Sequence, residues 1–182
     1  MPPIVEVINL LKKYGDLTAV DGISFTIQEG EIFSLLGPNS AGKTTTISIL
    51  STLFSPTAGE AIICGHSVTK EPLAVKRVIG VVPQEIALYD DLTALENLNF
   101  WGKMYGLSRR DLSRRIDQVL ELTGLKERAK QRIKTYSGGM KRRVNIGVGL
   151  LHEPRLLFMD EPTVGIDPQS RRAILDSVKE LN

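Results

Sequence analysis

Residues 37–45 read Gly37-Pro38-Asn39-Ser40-Ala41-Gly42-Lys43-Thr44-Thr45. A glycine, four further residues and then Gly-Lys-Thr form the motif of loops that cradle phosphate groups. An apolar run of strand length precedes this loop at 31–36, and Ile47, Leu50 and Leu53 follow it at helical spacing. Because the motif requires a strand before it and a helix after it, the stretch predicts a site for the phosphates of a nucleotide.

The residue types in this loop fit that chemistry. Gly37 and Gly42 permit backbone angles that other residues avoid, so the loop can turn its N–H groups toward one anion. The helix that follows adds the positive end of its dipole. Lys43 supplies a point charge for the outer phosphates, and the Thr44 hydroxyl is a hard oxygen ligand suited to Mg²⁺. A plain glycine-rich turn is the alternative, and it leaves the matching context unexplained.

Length and composition set the outer bounds. The chain has 182 residues, enough for one domain or two small lobes, and its net charge of +2 gives no reason to expect a nucleic-acid partner. Cys64 is the only cysteine, which excludes an internal disulfide, fits a reducing compartment and predicts a buried apolar role. No apolar stretch approaches the roughly 18 residues that span a bilayer, so another chain or segment would have to supply membrane spans.

The first part of the chain alternates as strands do. Strand candidates lie at 4–10, 23–27, 31–36 and 59–65, and these four predict an antiparallel lobe beside the phosphate loop. A further short strand at 78–82 ends just before Gln84.

The second part of the chain changes to helical spacing. Leu95, Leu98, Trp101 and Tyr105 share one helical face, Leu112 to Leu120 repeat the pattern, and Gly124 closes it. The arginines at 109, 110, 114 and 115 are expected on a solvated face. Another helix at 139–151, a buried parallel strand at 156–159 and a last helix at 169–181 complete the predicted elements.

A second candidate anion loop precedes the helix at 139–151. Ser137-Gly138-Gly139 is followed by Lys141, Arg142 and Arg143 in the first helical turn. Cations at a helix N-terminus are mildly unfavourable, so an anion that docks there would explain them. For this tripeptide alone, a capping serine with a loose Gly-Gly turn is the favoured interpretation.

Two acidic side chains at a strand end favour the anion site over the plain helix cap. Asp160 and Glu161 directly follow the apolar strand at 156–159, where α/β sheets place their ligands. Asp160 is a candidate to support Mg²⁺, and Glu161 is a candidate general base or water-positioning residue. Gln84 also ends a strand, and its side-chain oxygen is a further candidate ligand for the metal or the water.

From about Ile4 to its last residue, the chain resembles the nucleotide-binding domain of ABC (ATP-binding cassette) ATPases. Residues 37–45 resemble Walker A, 156–160 resemble Walker B, and 165–167 resemble the D-loop. Gln84 lies where the Q-loop glutamine does, and Tyr14 matches the aromatic residue that stacks on adenine. The signature loop of the family is matched by 136–140, with Tyr136 for leucine and Met140 for glutamine.

The resemblance implies an α/β fold with a P-loop NTPase (RecA-like) core, an antiparallel β lobe and an inserted helical subdomain. It implies a single domain over 1–182, with the β lobe and P-loop core at 1–84, the helical subdomain and signature motif at 85–150, and the return to the core with Walker B at 151–182. The family's switch histidine has no counterpart at His66 or His152. The expectation is therefore a domain that is incomplete at its C-terminus, with weak or no activity by itself.

The resemblance also assigns roles to individual residues. Glu161, Lys43 and Gln84 are expected to act in ATP hydrolysis, and Thr44, Gln84 and Asp160 to hold Mg²⁺. Ser40 departs from the glycine that is common at its position, where a positive φ would be strained. ATP is expected to contact Tyr14, Gly37, Pro38, Asn39, Ser40, Ala41, Gly42, Lys43, Thr44, Thr45, Ser137, Gly138, Gly139 and Asp167.

The family context implies the partners. Two such domains pack head to tail, so that each ATP lies between Walker A of one domain and the signature loop of the other. A transmembrane permease would dock near Leu88, Tyr89 and Leu92, which places the protein in the cytoplasm, peripheral on the inner face of the cell membrane. The run from Phe158 to Pro168 and the Tyr-Ser-Gly-Gly-Met signature resemble the drug-resistance exporter ATPases of the daunorubicin type.

The leading hypothesis is therefore an ATP-hydrolysing subunit of an ABC exporter for drugs or other small molecules. The first alternative is a non-transport ABC ATPase of DNA repair or of the ribosome. Such proteins usually carry long coiled-coil insertions or a second cassette, whereas the span from Gln84 to Ser137 is short and helical. The second alternative is an ATP-binding regulatory module without useful turnover.

Overall fold

The computed structural model of the protein describes residues 2–38 and 41–161. These residues fall into two compact units that divide between Ile79 and Gly80. Across the described ranges, no helix has both the length and the apolar character needed to cross a membrane. The predicted D-loop at 165–167 and the predicted last helix at 169–181 lie outside the described residues.

The first unit contains a four-stranded antiparallel sheet, in which three of the four predicted strands take part. Strand β1 lies at the centre and pairs with β2 on one side and β3 on the other, giving the order β2-β1-β3-β4. Val5, Val7 and Leu10 of β1 are buried. The irregularity between Val7 and Leu10, where Asn9 has a φ of 46°, turns Leu10 onto the buried face. The strands are β1 (Val5–Tyr14), β2 (Leu17–Ile27), β3 (Ala58–Ile63) and β4 (His66–Ser67).

The predicted strand at 31–36 was wrong. The fourth strand of the sheet is β4, and residues 31–36 have no strand conformation. A turn at Gln28–Glu31 leads into this segment, and Phe33 then stacks on Phe25 of β2 at 5.2 Å. Ile32 and Leu36 are 59% and 92% exposed. A strand needs a neighbouring backbone to pair with, and apolar alternation alone does not provide one.

Two helices complete the first unit, α1 (Lys43–Leu50) and α2 (Pro72–Val78). Helix α1 follows the phosphate loop as predicted, with Ile49 and Leu50 buried. It ends earlier than expected, because the chain turns at Thr52 with a φ of 63° and leaves Leu53 exposed.

The second unit is mainly helical. The three α-helices among its described residues begin at capping side chains: the Thr93 hydroxyl accepts from Glu96 N–H in a capping box, and Ser108 and Ser137 accept from the third helical N–H. The helix predicted from the spacing of Leu95 and Leu98 is confirmed as α3. The helices are α3 (Ala94–Met104), α4 (Arg109–Leu122) and α5 (Gly138–Leu150), and strands β5 (Ile79–Val82) and β6 (Leu156–Met159) form a two-stranded sheet.

The core of this unit lies where the three helices meet. Leu98 of α3 and the predicted apolar positions of α4, Leu112 to Leu120, are buried. A Cβ on Gly147 would lie 2.6 Å from Val119 Cγ1, so glycine at this position lets α5 pack closely on α4. The pattern in the sequence therefore predicted the buried face of α4, whereas on the predicted face of α3 Leu98 is buried and Tyr105 is 39% exposed.

Three predictions about burial were wrong. In β6 only Phe158 is buried, so the strand is half-covered. Cys64 is half-buried in the turn between β3 and β4, where its φ of 50° follows from the tight turn. Arg115 is not on a solvated face: it donates to the carbonyls of Leu150 and Leu151, which lie at the C-terminal end of α5.

Candidate functional site

The phosphate loop belongs to the first unit, and its second glycine is held by a close tertiary approach. Gly42 has a φ of 77°, and a Cβ at this position would lie 2.2 Å from the Ala19 carbonyl oxygen. Gly37 is required for a different reason. Its φ is not in the left-handed region, but a Cβ added to Gly37 would lie only 2.9 Å from the Ala41 methyl. The prediction of an unusual backbone angle is therefore confirmed for Gly42 alone.

Lys43 lies folded over the start of the loop. Its Nζ donates to the Gly37 and Pro38 carbonyls at 2.9 and 2.8 Å. These two weak partners hold an ammonium group at the loop without neutralising its charge. The first turn of α1 contains no acidic side chain, so the positive helix end adds to the same field. The arrangement suits a multiply charged anion.

The threonines after Lys43 divide into two kinds. Thr44 is exposed, whereas the Thr46 hydroxyl donates to the Gly42 carbonyl and is buried. Of these two hydroxyls, that of Thr44 is therefore the exposed one, and its role as a ligand stays a prediction. Asn39 and Ser40 lie outside the described residues, and Thr45 is half-buried within α1.

Tyr14 ends strand β1 in the same unit as the phosphate loop. Its ring is 45% exposed, and Lys12 Nζ lies 5.0 Å from the ring centroid. The ammonium of Lys12 is anchored on the Ser55 carbonyl. An exposed aromatic ring that is held by a neighbouring cation is a suitable surface for a stacked base.

The signature loop belongs to the second unit and opens helix α5. Ser137 Oγ accepts from Met140 N–H at 3.3 Å, and both Ser137 and Gly138 are exposed while Gly139 is buried. Tyr136 is buried and donates its hydroxyl to the Arg128 carbonyl at 2.7 Å, and this burial raises the pKa of Tyr136. The serine is thus a helix cap whose hydroxyl and following amide face solvent.

The cations after the signature loop have a different role from the one expected. Lys141 pairs with Asp90 at 2.7 Å, and Arg143 donates to the Thr123 carbonyl at 2.8 Å. Arg142 is only 3% exposed. The explanation by a docked anion was wrong for these three side chains, because each of them binds another part of the second unit.

Arg142 contacts the ends of both strands of the two-stranded sheet. One guanidinium nitrogen donates to the Pro83 and Gln84 carbonyls at 2.6 and 3.0 Å, and the other donates to the Asp160 carbonyl at 3.0 Å. Burial lowers the pKa of Arg142, and the Asp160 carboxylate opposes that shift. Gln84 and Asp160 are therefore brought together by one side chain.

The acidic pair lies at the end of β6. Asp160 is 7% exposed, and its N–H donates to the Val82 carbonyl at 3.0 Å, extending the contact between β6 and β5. Glu161 is half-buried and has a φ of 44°. A positive φ at a residue other than glycine is strained and is often found at functional sites.

The predicted site residues thus divide between the two units. Tyr14 and the phosphate loop belong to the first, and Gln84, Ser137, Asp160 and Glu161 belong to the second. Asp167 lies outside the described residues.

Sequence reasoning missed the positions of α5 that contact the Gln84 segment. Asn145 is buried, and its Oδ1 accepts from Ala87 N–H at 3.3 Å. The available signal was the spacing, since Arg142 and Asn145 are three residues apart and share a helical face.

Comparison with known proteins identifies the family. The family model described as ABC transporter matches residues 20–164. The linearmycin resistance ATP-binding protein LnrL of Bacillus subtilis is 59% identical over 96% of this chain and 56% of its own length. The doxorubicin resistance ATP-binding protein DrrA of Mycobacterium tuberculosis is 47% identical over 96% of this chain and 53% of its own. The chain spans about half the length of these curated relatives.

Solved structures show the same fold. The structure of an ATP-binding subunit of an ABC transporter has a TM-score of 0.84 at 32% identity and covers 98% of this chain and 74% of that one. A dimeric ATP-binding cassette in a post-hydrolysis state with ADP and phosphate has a TM-score of 0.85 at 29% identity, over 97% and 82% of the two chains. The predicted α/β fold and the predicted likeness to drug-resistance ATPases are confirmed. The chain belongs to the ABC transporter family, as an ATP-binding cassette domain.

Proposed function

We propose that the protein hydrolyses ATP as the energy-supplying subunit of an exporter, and that it works as a head-to-tail pair of cassettes. The observation that carries this proposal is that one chain has two helix N-termini without an acidic side chain in the first turn, at Gly42 in the first unit and at Ser137 in the second. The names of the relatives support drug-like small molecules as the cargo, and they favour transport over DNA repair or ribosome work.

In the proposed binding mode, the phosphate loop and Tyr14 take up the nucleotide of their own chain. Lys43 exchanges its two carbonyl partners for the β- and γ-phosphates, which are far better acceptors for an ammonium group. The amides at the start of α1 contribute the helix dipole. The exposed ring of Tyr14 stacks on the adenine.

The residues present fit a bound Mg²⁺. Its proposed ligands are the Thr44 hydroxyl, the Gln84 amide oxygen and the Asp160 carboxylate, all of them hard oxygen donors. The backbone carbonyls of Gln84 and Asp160 are bonded to the same guanidinium of Arg142, which holds the main chains of these two residues near each other. When bound, the ion would neutralise charge on the phosphates.

Glu161 is the proposed general base. Its carboxylate accepts a proton from the water that attacks the γ-phosphorus, while the bond from that phosphorus to the bridging oxygen breaks and ADP leaves. The half-buried position of Glu161 limits hydration of the carboxylate. Gln84 is proposed to orient the same water.

The signature loop serves the partner's nucleotide in this proposal. Ser137, Gly138 and Gly139 contact the γ-phosphate bound by the other cassette, and Asp167 lies against the facing site. Because the α5 helix has no acidic side chain in its first turn, its positive end is open to that phosphate.

An apolar surface near Gln84 is the proposed docking site for the permease. Tyr89 is 49% exposed and packs edge-on against Phe100 at 5.1 Å, while Leu88 and Leu92 are half-buried. Contact with a permease would hold the protein at the inner face of the cell membrane.

The test of hydrolysis is Glu161→Gln in the full-length protein. We expect turnover to fall by about 10²-fold or more while ATP still binds, because the base is removed and the binding groups are not. Glu153→Gln is the matched control, since Glu153 also has a positive φ, of 54°, but pairs with Arg115 at the surface. Near-normal turnover in Glu161→Gln would remove the residue from this role.

The test of transport uses inside-out vesicles that contain the full-length protein and a candidate permease with its own membrane spans. Fluorescent doxorubicin serves as the probe, and we expect ATP-dependent uptake that disappears in Glu161→Gln. Active ATP hydrolysis without uptake of doxorubicin or linearmycin would reject the proposed cargo class and leave the ATPase assignment standing.

A further inference from the structure

The buried side chain of Arg142 connects three segments of the second unit. It extends from the second turn of α5, close behind the signature loop, and donates to the carbonyls of Pro83, Gln84 and Asp160. Two of these carbonyls belong to the residues proposed to hold Mg²⁺. The signature loop, which would face the partner's nucleotide, is thereby tied to groups that serve the nucleotide of its own chain.

The chemistry of the guanidinium makes this tie specific. Its donors lie in one plane in a fixed fork, so a single orientation must satisfy the carbonyls on both strand ends. A buried charge is a poor device for stability alone, because its desolvation opposes the energy of its contacts. The side chain is 97% buried and bonds to carbonyls at strand ends, which is a geometry suited to fixing positions.

Helix α5 binds the Gln84 segment at two further points. The Asn145 amide oxygen accepts from Ala87 N–H, and the Lys141 ammonium pairs with Asp90. Together with Arg142, these contacts attach the first two turns of α5 to residues 83–90 along their length. A displacement of α5 must therefore displace this segment or break several contacts at once.

We propose that Arg142 is a positioning residue that couples the signature loop to Gln84 and Asp160. The inference rests on the proposed ATPase function. When a nucleotide of the partner cassette engages Ser137 and shifts α5, the guanidinium carries that shift to the two carbonyls and so to the attached side chains. Each ATP site of the pair then senses whether the other is filled, which is a coupling between binding sites in the thermodynamic sense.

Arg115, on the neighbouring helix α4, provides a matched comparison within the same unit. It donates to the Leu150 and Leu151 carbonyls at 2.8 and 3.1 Å, at the opposite end of α5. Like Arg142 it is a guanidinium that donates to carbonyl oxygens, but it also pairs with Glu153 at 2.8 Å and contacts none of the candidate site residues in the described chain. A purely structural role for both arginines predicts the same outcome for both substitutions.

The first experiment compares Arg142→Gln, Arg142→Lys and Arg115→Gln in the full-length protein. For Arg142→Gln we expect kcat to fall by about tenfold or more, while the dissociation constant for a fluorescent ATP analogue stays within about threefold. The Hill coefficient for ATP should fall to about 1, because the two sites no longer communicate. Arg142→Lys should restore part of kcat, and Arg115→Gln should keep both kcat and cooperativity.

The second experiment measures amide hydrogen exchange, which tests the contacts of Arg142 without requiring ATP turnover. Ala87 N–H and Asp160 N–H are protected by bonds to Asn145 and Val82. Both amides should exchange about tenfold faster or more in Arg142→Gln and be unchanged in Arg115→Gln. Should Arg142→Gln fail to fold, Arg142→Lys is measured in its place.

The outcomes separate this inference from the proposed function. Absence of ATP hydrolysis in the unsubstituted full-length protein rejects the proposed function. The exchange rates still test whether Arg142 holds the Gln84 segment and Asp160 in place. Unchanged exchange at Ala87 and Asp160, or retained cooperativity in Arg142→Gln, overturns the role of Arg142. Equal losses of kcat in the Arg142 and Arg115 variants also overturn it, because they indicate a general loss of stability.

Discussion

The loop at 37–45 and the loop at 136–140 both lead into a helix whose first turn has no acidic side chain. They differ in what holds them. The first depends on Gly42, which is pressed against the Ala19 carbonyl, and its cation bonds to carbonyls of the loop itself. The second depends on a serine cap, and the cations after it bond to the body of the unit. The loop at 37–45 therefore has a cation available to a ligand, whereas the loop at 136–140 has only backbone groups and the Ser137 hydroxyl.

This difference suits two separate tasks. A loop that must capture a nucleotide alone needs a mobile positive charge, and Lys43 supplies it. A loop that meets a nucleotide already held by another cassette needs shape and a rigid base, and the cap at Ser137 with the buried Arg142 behind it supplies those. The comparison predicts that changes in the two loops affect different measurements.

Two substitutions, Lys43→Ala in the first loop and Ser137→Arg in the second, should change ATP binding and turnover the most. Lys43→Ala should weaken ATP binding by about 10- to 100-fold, since a hydrogen bond to a charged group contributes about 1.5–3 kcal/mol. Ser137→Arg should leave ATP binding by the single chain nearly unchanged, because the residue belongs to the other loop. It should reduce turnover by about 10²-fold, because the bulky side chain blocks the partner's nucleotide.

Isothermal titration with ATP and a steady-state ATPase assay check this pair of variants. The proposed difference between the two loops would be wrong if Ser137→Arg weakened ATP binding as much as Lys43→Ala does. Lys76→Ala, at an exposed position on α2, is a control for a simple loss of positive charge.

An intermediate effect is expected from alanine at one glycine of each loop. Gly42→Ala should destabilise the protein by about 1–3 kcal/mol, because the φ of 77° is strained for alanine and the added Cβ meets a backbone oxygen. An added Cβ on Gly138 has no atom within 4 Å, so Gly138→Ala should change stability by less than about 0.5 kcal/mol. Urea unfolding monitored by circular dichroism measures both. Equal destabilisation in the two variants would show that the loops are held alike.

Sequence reasoning succeeded where one local pattern decides the structure. The capping residues Thr93 and Ser137 fix the starts of their helices, and the spacing from Leu112 to Leu120 fixes the buried face of α4. The phosphate motif predicted the left-handed φ of Gly42 and the helix that begins at Lys43, because glycine spacing acts within a few residues. These features need no knowledge of distant parts of the chain.

Reasoning failed where a distant partner decides. The segment 31–36 has the composition of a strand, but a strand also needs a neighbour to pair with. Arg142 resembles any surface arginine in a helix, and only the positions of Pro83, Gln84 and Asp160 make it a buried tie. The same limit applies to Arg115, whose carbonyl partners lie 35 and 36 residues further along the chain.

The smallest expected effect concerns the cap itself, and it separates the two roles of Ser137. Ser137→Ala should destabilise the second unit by about 1 kcal/mol, as should Thr93→Ala, because each removes a side-chain acceptor from a helix N-terminus. Ser137→Asp should restore that stability, since aspartate caps equally well and its charge favours the helix dipole. The same carboxylate would repel a phosphate of the partner's nucleotide, so nucleotide-dependent dimerisation should weaken while the melting temperature recovers. Thermal unfolding and size-exclusion chromatography with ATP, both in the Glu161→Gln background, measure the two effects. Normal dimerisation by Ser137→Asp would mean that this serine caps the helix and does nothing more.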